Sequence, residues 1–134
     1  MNLCMIGTGY VGLVSGTCFA DLGNNVICLD KNKEKIKTLK LGLSPIYEPG
    51  LDELIKKNNN SGRLIFTTDL KKAISQSELI FICVGTPTKK NSQNVDLSYV
   101  FKAVKEIAKN TKKNKIIITK STVPVGTGDD IDNI

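Results

Sequence analysis

Two features of the sequence have residue types and spacing suited to chemistry: the glycine run Gly7-Thr8-Gly9-Tyr10-Val11-Gly12 and the carboxylate of Asp30. The glycines follow the apolar stretch Leu3 to Ile6 and open a helical pattern. In that setting Gly7 permits a tight turn, Gly9 lets the backbone approach a pyrophosphate, and Gly12 lets a helix pack closely on a strand. Tyr10 and Val11 then stand at a helix N-terminus, whose free N–H groups and positive dipole end attract phosphate. Asp30 closes the next apolar stretch, near the spacing of about 20 residues at which an acid accepts hydrogen bonds from a ribose 2′-hydroxyl. A carboxylate there repels a 2′-phosphate, so the pattern points to NAD rather than NADP. Lys31, Lys33 and Lys35 follow it and offer cations to a phosphorylated ligand; Lys35 is counted among the cofactor-binding candidates. The competing interpretation is a glycine turn that serves only the fold, with Asp30 a solvated strand end.

Elements that position these residues can be read from apolar spacing. Strands are predicted over Leu3 to Ile6, Val26 to Leu29, Leu64 to Thr67, Leu79 to Val84 and Ile116 to Thr119. A helix is predicted over Val11 to Leu22, with Val11, Val14, Cys18 and Leu22 at helical spacing and Gly23 at its end. Further helices are predicted over Lys33 to Lys40, stopped by Gly42, and over Leu51 to Lys57, followed by a turn at Asn58 to Gly62. Asp69 caps a helix reaching about Ser75. Asp96 caps another that reaches about Lys109, with Val100, Val104, Ile107 and Ala108 as its apolar stripe. Pro45 and Pro49 keep Leu43 to Gly50 a loop, and Lys89 to Asn94 reads as polar and mobile. Strands alternating with helices give an α/β class: a single Rossmann-type domain with a doubly wound parallel sheet. Its functional loops lie at the carboxyl ends of the strands.

Composition narrows the function classes. The 134 residues suit one domain, with 40% hydrophobic and 24% charged residues. No apolar run reaches the roughly 18 residues of a membrane span, and the N-terminus lacks the pattern of a signal peptide, so a cytoplasmic protein is expected. Nineteen Lys and Arg against 13 Asp and Glu give a formal charge of +6. Pairs such as Lys56-Lys57 and Lys112-Lys113 read chiefly as solvated helix faces, and no aromatic-interleaved basic patch points to nucleic acid. Cys4, Cys18, Cys28 and Cys83 each sit in an apolar stretch; with no CxxC pair and no histidine, no metal site is expected. They read as small buried hydrophobes in a reducing cell, a catalytic thiol being the lesser alternative.

Further motifs carry a family resemblance. They are Gly7 to Ala20, Tyr47-Glu48-Pro49-Gly50-Leu51, Arg63-Leu64-Ile65-Phe66-Thr67-Thr68-Asp69 and Val84-Gly85-Thr86-Pro87, then Asp96-Leu97-Ser98-Tyr99-Val100 and Lys120-Ser121-Thr122-Val123-Pro124-Val125-Gly126-Thr127. In this order the chain resembles, over nearly its whole length, the N-terminal NAD-binding domain of the UDP-glucose/GDP-mannose dehydrogenase family. Leu13-Val14-Ser15-Gly16-Thr17-Cys18 looks more like the UDP-glucose branch. The resemblance implies oxidation of a UDP-sugar C6 alcohol to the carboxylate with two NAD and one water, through a cysteine thioester. It also implies that Gly85, Thr86 and Pro87 lie against the cofactor, that Ser121 and Thr122 contact it, and that Thr122 is the catalytic group, hydrogen-bonding the water or the substrate. Without the family, Ser121-Thr122-Val123-Pro124 is equally a capped strand-to-helix turn. Glu48 would sit near the cleft or be a solvated loop acid, and no catalytic role is assigned to it.

The family's nucleophilic cysteine lies in a GGSCFPKD-like segment that nothing here matches. The chain is therefore expected to be truncated, to lack the central and C-terminal UDP-sugar-binding domains, and to be inactive alone. The full-length protein is expected to be a homodimer. Alternatives are a free-standing NAD-binding regulatory module, the cofactor domain of a GDP-mannose or UDP-N-acetylhexosamine dehydrogenase, and a dehydrogenase of small hydroxy acids.

Overall fold

A computed structural model describes residues 1–89 and 94–134. Its elements run β1 (Asn2–Ile6), α1 (Tyr10–Asp21), β2 (Asn25–Leu29), α2 (Lys33–Lys40), α3 (Leu51–Asn60), β3 (Leu64–Thr67), α4 (Leu70–Gln76), β4 (Leu79–Ile82), α5 (Ser98–Asn110), β5 (Ile116–Thr119) and α6 (Thr127–Asp132). The strands form one parallel sheet in the order β3-β2-β1-β4-β5. Parallel neighbours need crossovers, and here helices supply them on both faces. Leu13 and Ala20 of α1, Ile36 and Leu39 of α2, and Leu51 and Ile55 of α3 pack with Met5, Cys28 and Phe66 on one face. Ala73 and Ile74 of α4 and Val100, Val104 and Ile107 of α5 pack with Ile6, Leu29, Ile80 and Ile82 on the other. The doubly wound sheet expected from the strand-helix alternation is therefore present. Chain order reverses between β1 and β4, which opens a crevice at the carboxyl end of the sheet.

The α1 helix shows how a spacing rule can pick the wrong face. Its buried residues are Gly12, Leu13, Gly16, Thr17 and Ala20; of the predicted stripe, Val14 is partly buried against the core. Val11 and Cys18 are exposed, and Leu22 is 78% exposed as the C-cap. The predicted stripe weighed hydrophobicity; the sheet selects small residues. A Cβ on Gly16 would come within 2.8 Å of the Cys28 sulfur and 2.9 Å of the Met5 side chain, so only a glycine face lies this close to β1 and β2. In α5 the buried stripe likewise takes Ala103 in place of the exposed Ala108.

Several boundaries also move, three of them with a clear physical cause. The Asn58-to-Gly62 turn begins later, because α3 continues to Asn60. Asn58 is buried rather than a turn residue: its Nδ2 donates to Asp21 Oδ1 at 3.0 Å and to the Leu54 carbonyl at 2.9 Å, and its Oδ1 accepts from the Arg63 guanidinium at 3.3 Å. Those partners offset the desolvation of the amide and fasten the last residue of α1 to α3 and to the entry of β3, which fixes the direction of the helix. The β4 strand ends at Ile82, two residues early, because the Ile82 carbonyl accepts from the backbone of Lys120 and Ser121 where the chain leaves β5. At α5 the N-cap is Leu97, while Asp96 one residue earlier accepts from Ser98 N at 2.9 Å. Asp69 caps α4 as expected, accepting from Lys72 N at 3.0 Å. Of the segment Lys89 to Asn94, residues 90–93 lie outside the described residues; Lys89 N donates to the Asn94 carbonyl at 2.9 Å. No helix among the described residues is long and apolar enough to cross a membrane.

Candidate dinucleotide site

The glycine turn lies directly after β1, on the β2 side of the crevice. Gly7 N donates to the Leu29 carbonyl at 2.8 Å, tying the turn to the end of β2. Gly7 has a φ of +100°, and a Cβ there would come within 2.6 Å of the Cys83 carbonyl oxygen. At Gly12 a Cβ would sit 1.9 Å from the Gly7 carbonyl oxygen, so this turn of α1 rests on the turn before it. Gly9 differs: a Cβ there would meet no atom of the described residues within 4 Å. It is the N-cap of α1; among the described residues no side chain caps that end, and no acidic residue lies in its first turn. By contrast, Asn32 caps α2 and Asp69 caps α4. An uncapped N-terminus of a twelve-residue helix, with open space over Gly9, fits a pyrophosphate group in shape and in charge.

Asp30 follows β2 beside this turn. Its Oδ2 accepts from Thr8 N at 3.0 Å, from Thr8 Oγ1 at 2.7 Å and from Lys35 Nζ at 2.9 Å, and its Oδ1 accepts from Asn32 N at 3.0 Å. Burial pushes the Asp30 carboxyl up, but the Asn32 amide, the Thr8 hydroxyl, Lys35 and the Thr8 amide outweigh it and bring the group down to about 2. The group is therefore a carboxylate at any physiological pH, able to accept hydrogen bonds and to repel an added phosphate. Lys35, in the first turn of α2, is spent on Asp30. Lys31 instead lies 5.1 Å from the centroid of the Tyr99 ring.

Across the crevice, Gly85, Thr86 and Pro87 follow β4, with Gly85 and Pro87 exposed. Ser121 joins the loop after β5 to the residues just before them: its Oγ donates to the Val84 carbonyl at 2.7 Å and its N–H to the Ile82 carbonyl at 2.9 Å. Thr122 is exposed next to it. The structure thus sets Gly7, Gly9, Tyr10, Val11 and Gly12 beside Asp30 and Lys35, joined through Thr8, and ties Ser121 to Ile82 and Val84 just before the 85–87 loop, both at the carboxyl end of the sheet.

Two contacts were not read from the sequence. The Tyr10 hydroxyl donates to Glu48 Oε2, which ties the Pro45-to-Pro49 loop to the first residue of α1. Thr8 carries the hydroxyl on Asp30; the register Ile6↔Leu29 makes the residues following these two strands neighbours, so strand pairing was the missing signal. Of the cysteines, Cys18 is exposed, contrary to the expectation for all four, because it lies on the outer face of α1. Burial pushes the Cys4 thiol up to about 12 and the Cys83 thiol up to about 11, and raises Cys28 also, so these three stay protonated at neutral pH. Among the described residues no group of three or more His, Cys, Asp or Glu is placed to hold a metal.

A parallel β3-β2-β1-β4-β5 sheet with a glycine turn opening α1 and an acid closing β2 defines a Rossmann-type dinucleotide-binding domain. The model of the UDP-glucose/GDP-mannose dehydrogenase family, NAD binding domain, matches residues 1–134, and the chain belongs to that family as its NAD-binding domain. It is 55% identical over 134 residues to a UDP-glucose 6-dehydrogenase of Rhizobium meliloti, covering 100% of this chain and 31% of that protein. It is 54% identical over 127 residues to the UDP-glucose 6-dehydrogenase TuaD of Bacillus subtilis, covering 95% of this chain and 27% of that one. A GDP-mannose dehydrogenase from Pseudomonas aeruginosa, solved as a ternary complex, superposes with a TM-score of 0.94 at 40% identity, covering 98% of this chain and 30% of that chain. The chain thus spans under a third of the length of these relatives.

Proposed function

We propose that this chain is the cofactor-binding part of a UDP-glucose 6-dehydrogenase, residues 1–134 forming one domain of a longer protein whose UDP-sugar-binding domains lie beyond it. The observation that carries the reading is the open, uncapped start of α1 over Gly9, set beside a carboxylate held ionised at Asp30. In this reading the backbone of Gly7, Gly9, Tyr10, Val11 and Gly12 holds the pyrophosphate. Asp30 takes the adenine-ribose hydroxyls, and Lys35 fixes its carboxylate. Gly85, Thr86 and Pro87 lie along the nicotinamide half, because they form the other wall of the crevice. Ser121 anchors the loop after β5, and Thr122, the catalytic residue of this chain, hydrogen-bonds the water or the substrate alcohol, since a hydroxyl both donates and accepts. Bound NAD supplies the hydride acceptor for oxidation at C6. The whole protein acts in the cytoplasm as a homodimer on a UDP-sugar. The high identity to two UDP-glucose 6-dehydrogenases favours this reading over a regulatory NAD module.

The division of labour is testable with the chain itself. Mixed with NAD and UDP-glucose it is expected to form no NADH, followed by absorbance at 340 nm, while still binding NADH with saturation. NADH formation by the chain alone would contradict it.

A further inference from the structure

The geometry points to Thr8 as a positioning residue that sets the cofactor preference by holding one oxygen of the Asp30 carboxylate; the inference rests on the proposed role of Asp30 toward the adenine ribose. Thr8 is 1% exposed, though it stands between two glycines in a ligand-facing turn. A buried hydroxyl needs a partner, and this one donates to Asp30 Oδ2 at 2.7 Å. Its own amide donates to the same oxygen at 3.0 Å, and so does Lys35 Nζ at 2.9 Å. Three donors fill the acceptor capacity of Oδ2. Among the described residues only Asn32 N, at 3.0 Å, donates to Oδ1. The carboxylate is thereby fixed in one rotamer with Oδ2 turned inward, and Oδ1 keeps lone-pair capacity for a ligand. The Asp30 side chain is only 11% exposed, so the accessible part of the carboxylate is small and its orientation decides what it meets.

Both donors of Thr8 sit on the glycine turn, so the turn that takes the phosphates also aims the acid that reads the ribose. Lys35 comes from α2, a separate element, and adds a third donor to the same oxygen. Removing the hydroxyl alone leaves the turn, the amide bond and the lysine in place. It loosens the hold on Oδ2, and where the carboxylate then meets the ribose out of line the ligand loses one charge-assisted hydrogen bond, worth roughly tenfold in affinity.

The test titrates the protein and its variants with NADH and NADPH, read by nicotinamide fluorescence. Thr8→Val, nearly equal in volume, is expected to weaken NADH roughly tenfold and NADPH far less, so that the preference for NADH narrows. Thr8→Ser, which restores the hydroxyl, is expected to return the preference to within about twofold of the unmodified protein. In an Asp30→Ala background Thr8→Val is expected to change neither affinity further, as a residue acting through Asp30 requires. Should Thr8→Val fail to fold, Thr8→Cys, a similar shape with a much weaker donor, must narrow the preference in its place. A preference that Asp30→Ala abolishes but Thr8→Val or Thr8→Cys leaves intact overturns the role of Thr8 alone. Absence of any preference in the unmodified protein overturns the ribose reading on which it rests.

Discussion

Gly12→Val is expected to unfold the domain, whereas Gly9→Ala is expected to leave it folded and poor at holding a dinucleotide. The two glycines stand three residues apart and do opposite work. A Cβ on Gly12 would lie 1.9 Å from the Gly7 carbonyl oxygen and 3.0 Å from the Cys83 Cβ. The first of these atoms is backbone, which cannot swing aside, and valine adds two methyl groups to the same space. Overpacking usually costs about 1–3 kcal/mol where side chains can give way; here the obstacle is backbone at 1.9 Å, so the loss is expected to approach the roughly 5–15 kcal/mol that holds a domain together. Gly9 has a φ of −71°, which alanine adopts without strain, and its Cβ would enter space free of atoms of the described residues to 4 Å. The stability of Gly9→Ala should therefore stay within about 0.5 kcal/mol of the unmodified protein, while NADH affinity falls about tenfold or more as the methyl takes the room of a phosphate oxygen. Urea denaturation followed by circular dichroism separates the two effects. A stable Gly12→Val, or a Gly9→Ala that binds NADH normally, would contradict this account of the turn.

Asp30→Ala is expected to weaken NADH binding by tenfold or more and NADPH binding much less, because only NADH offers an adenine-ribose 2′-hydroxyl to the lost acceptor. Equal losses in parallel titrations would remove Asp30 from the ribose. The same carboxylate gives a pH signature. Its folded value, about 2, lies below the ordinary value of 3.8, so the stability it contributes is fully present above about pH 4 and is lost as pH falls toward 2. Acid unfolding of the unmodified protein should therefore be steeper across that window than acid unfolding of Asp30→Ala.

The β-strands were the most legible part of the sequence. Leu64 to Thr67 and Ile116 to Thr119 have the predicted ends, since short apolar runs between turn residues leave a parallel strand little freedom. The glycine turn and Asp30 were legible too, because backbone approach and charge act through residue type and short spacing. What the sequence concealed depends on contacts between distant residues. The buried face of α1 follows from how near the helix lies to Met5 and Cys28, not from hydrophobicity. Asn58 sits in a helix rather than a turn because Asp21 and Arg63 satisfy its amide, and neither partner is visible from a run of three asparagines. Thr8 and Glu48 escaped for the same reason: their partners, Asp30 and Tyr10, lie 22 and 38 positions away.

The location of the cofactor is the central claim, and a chain of 14.6 kDa allows it to be mapped directly by amide chemical shifts in nitrogen-15 spectra during titration with NAD. Gly9, Tyr10, Val11 and Asp30 are expected to shift most, joined by Gly85 and Thr86 across the crevice. Shifts concentrated at the opposite end of the sheet, around the lysine-rich cavity lined by Lys71, Lys72, Lys112 and Lys115, with the glycine turn unmoved, would contradict the account.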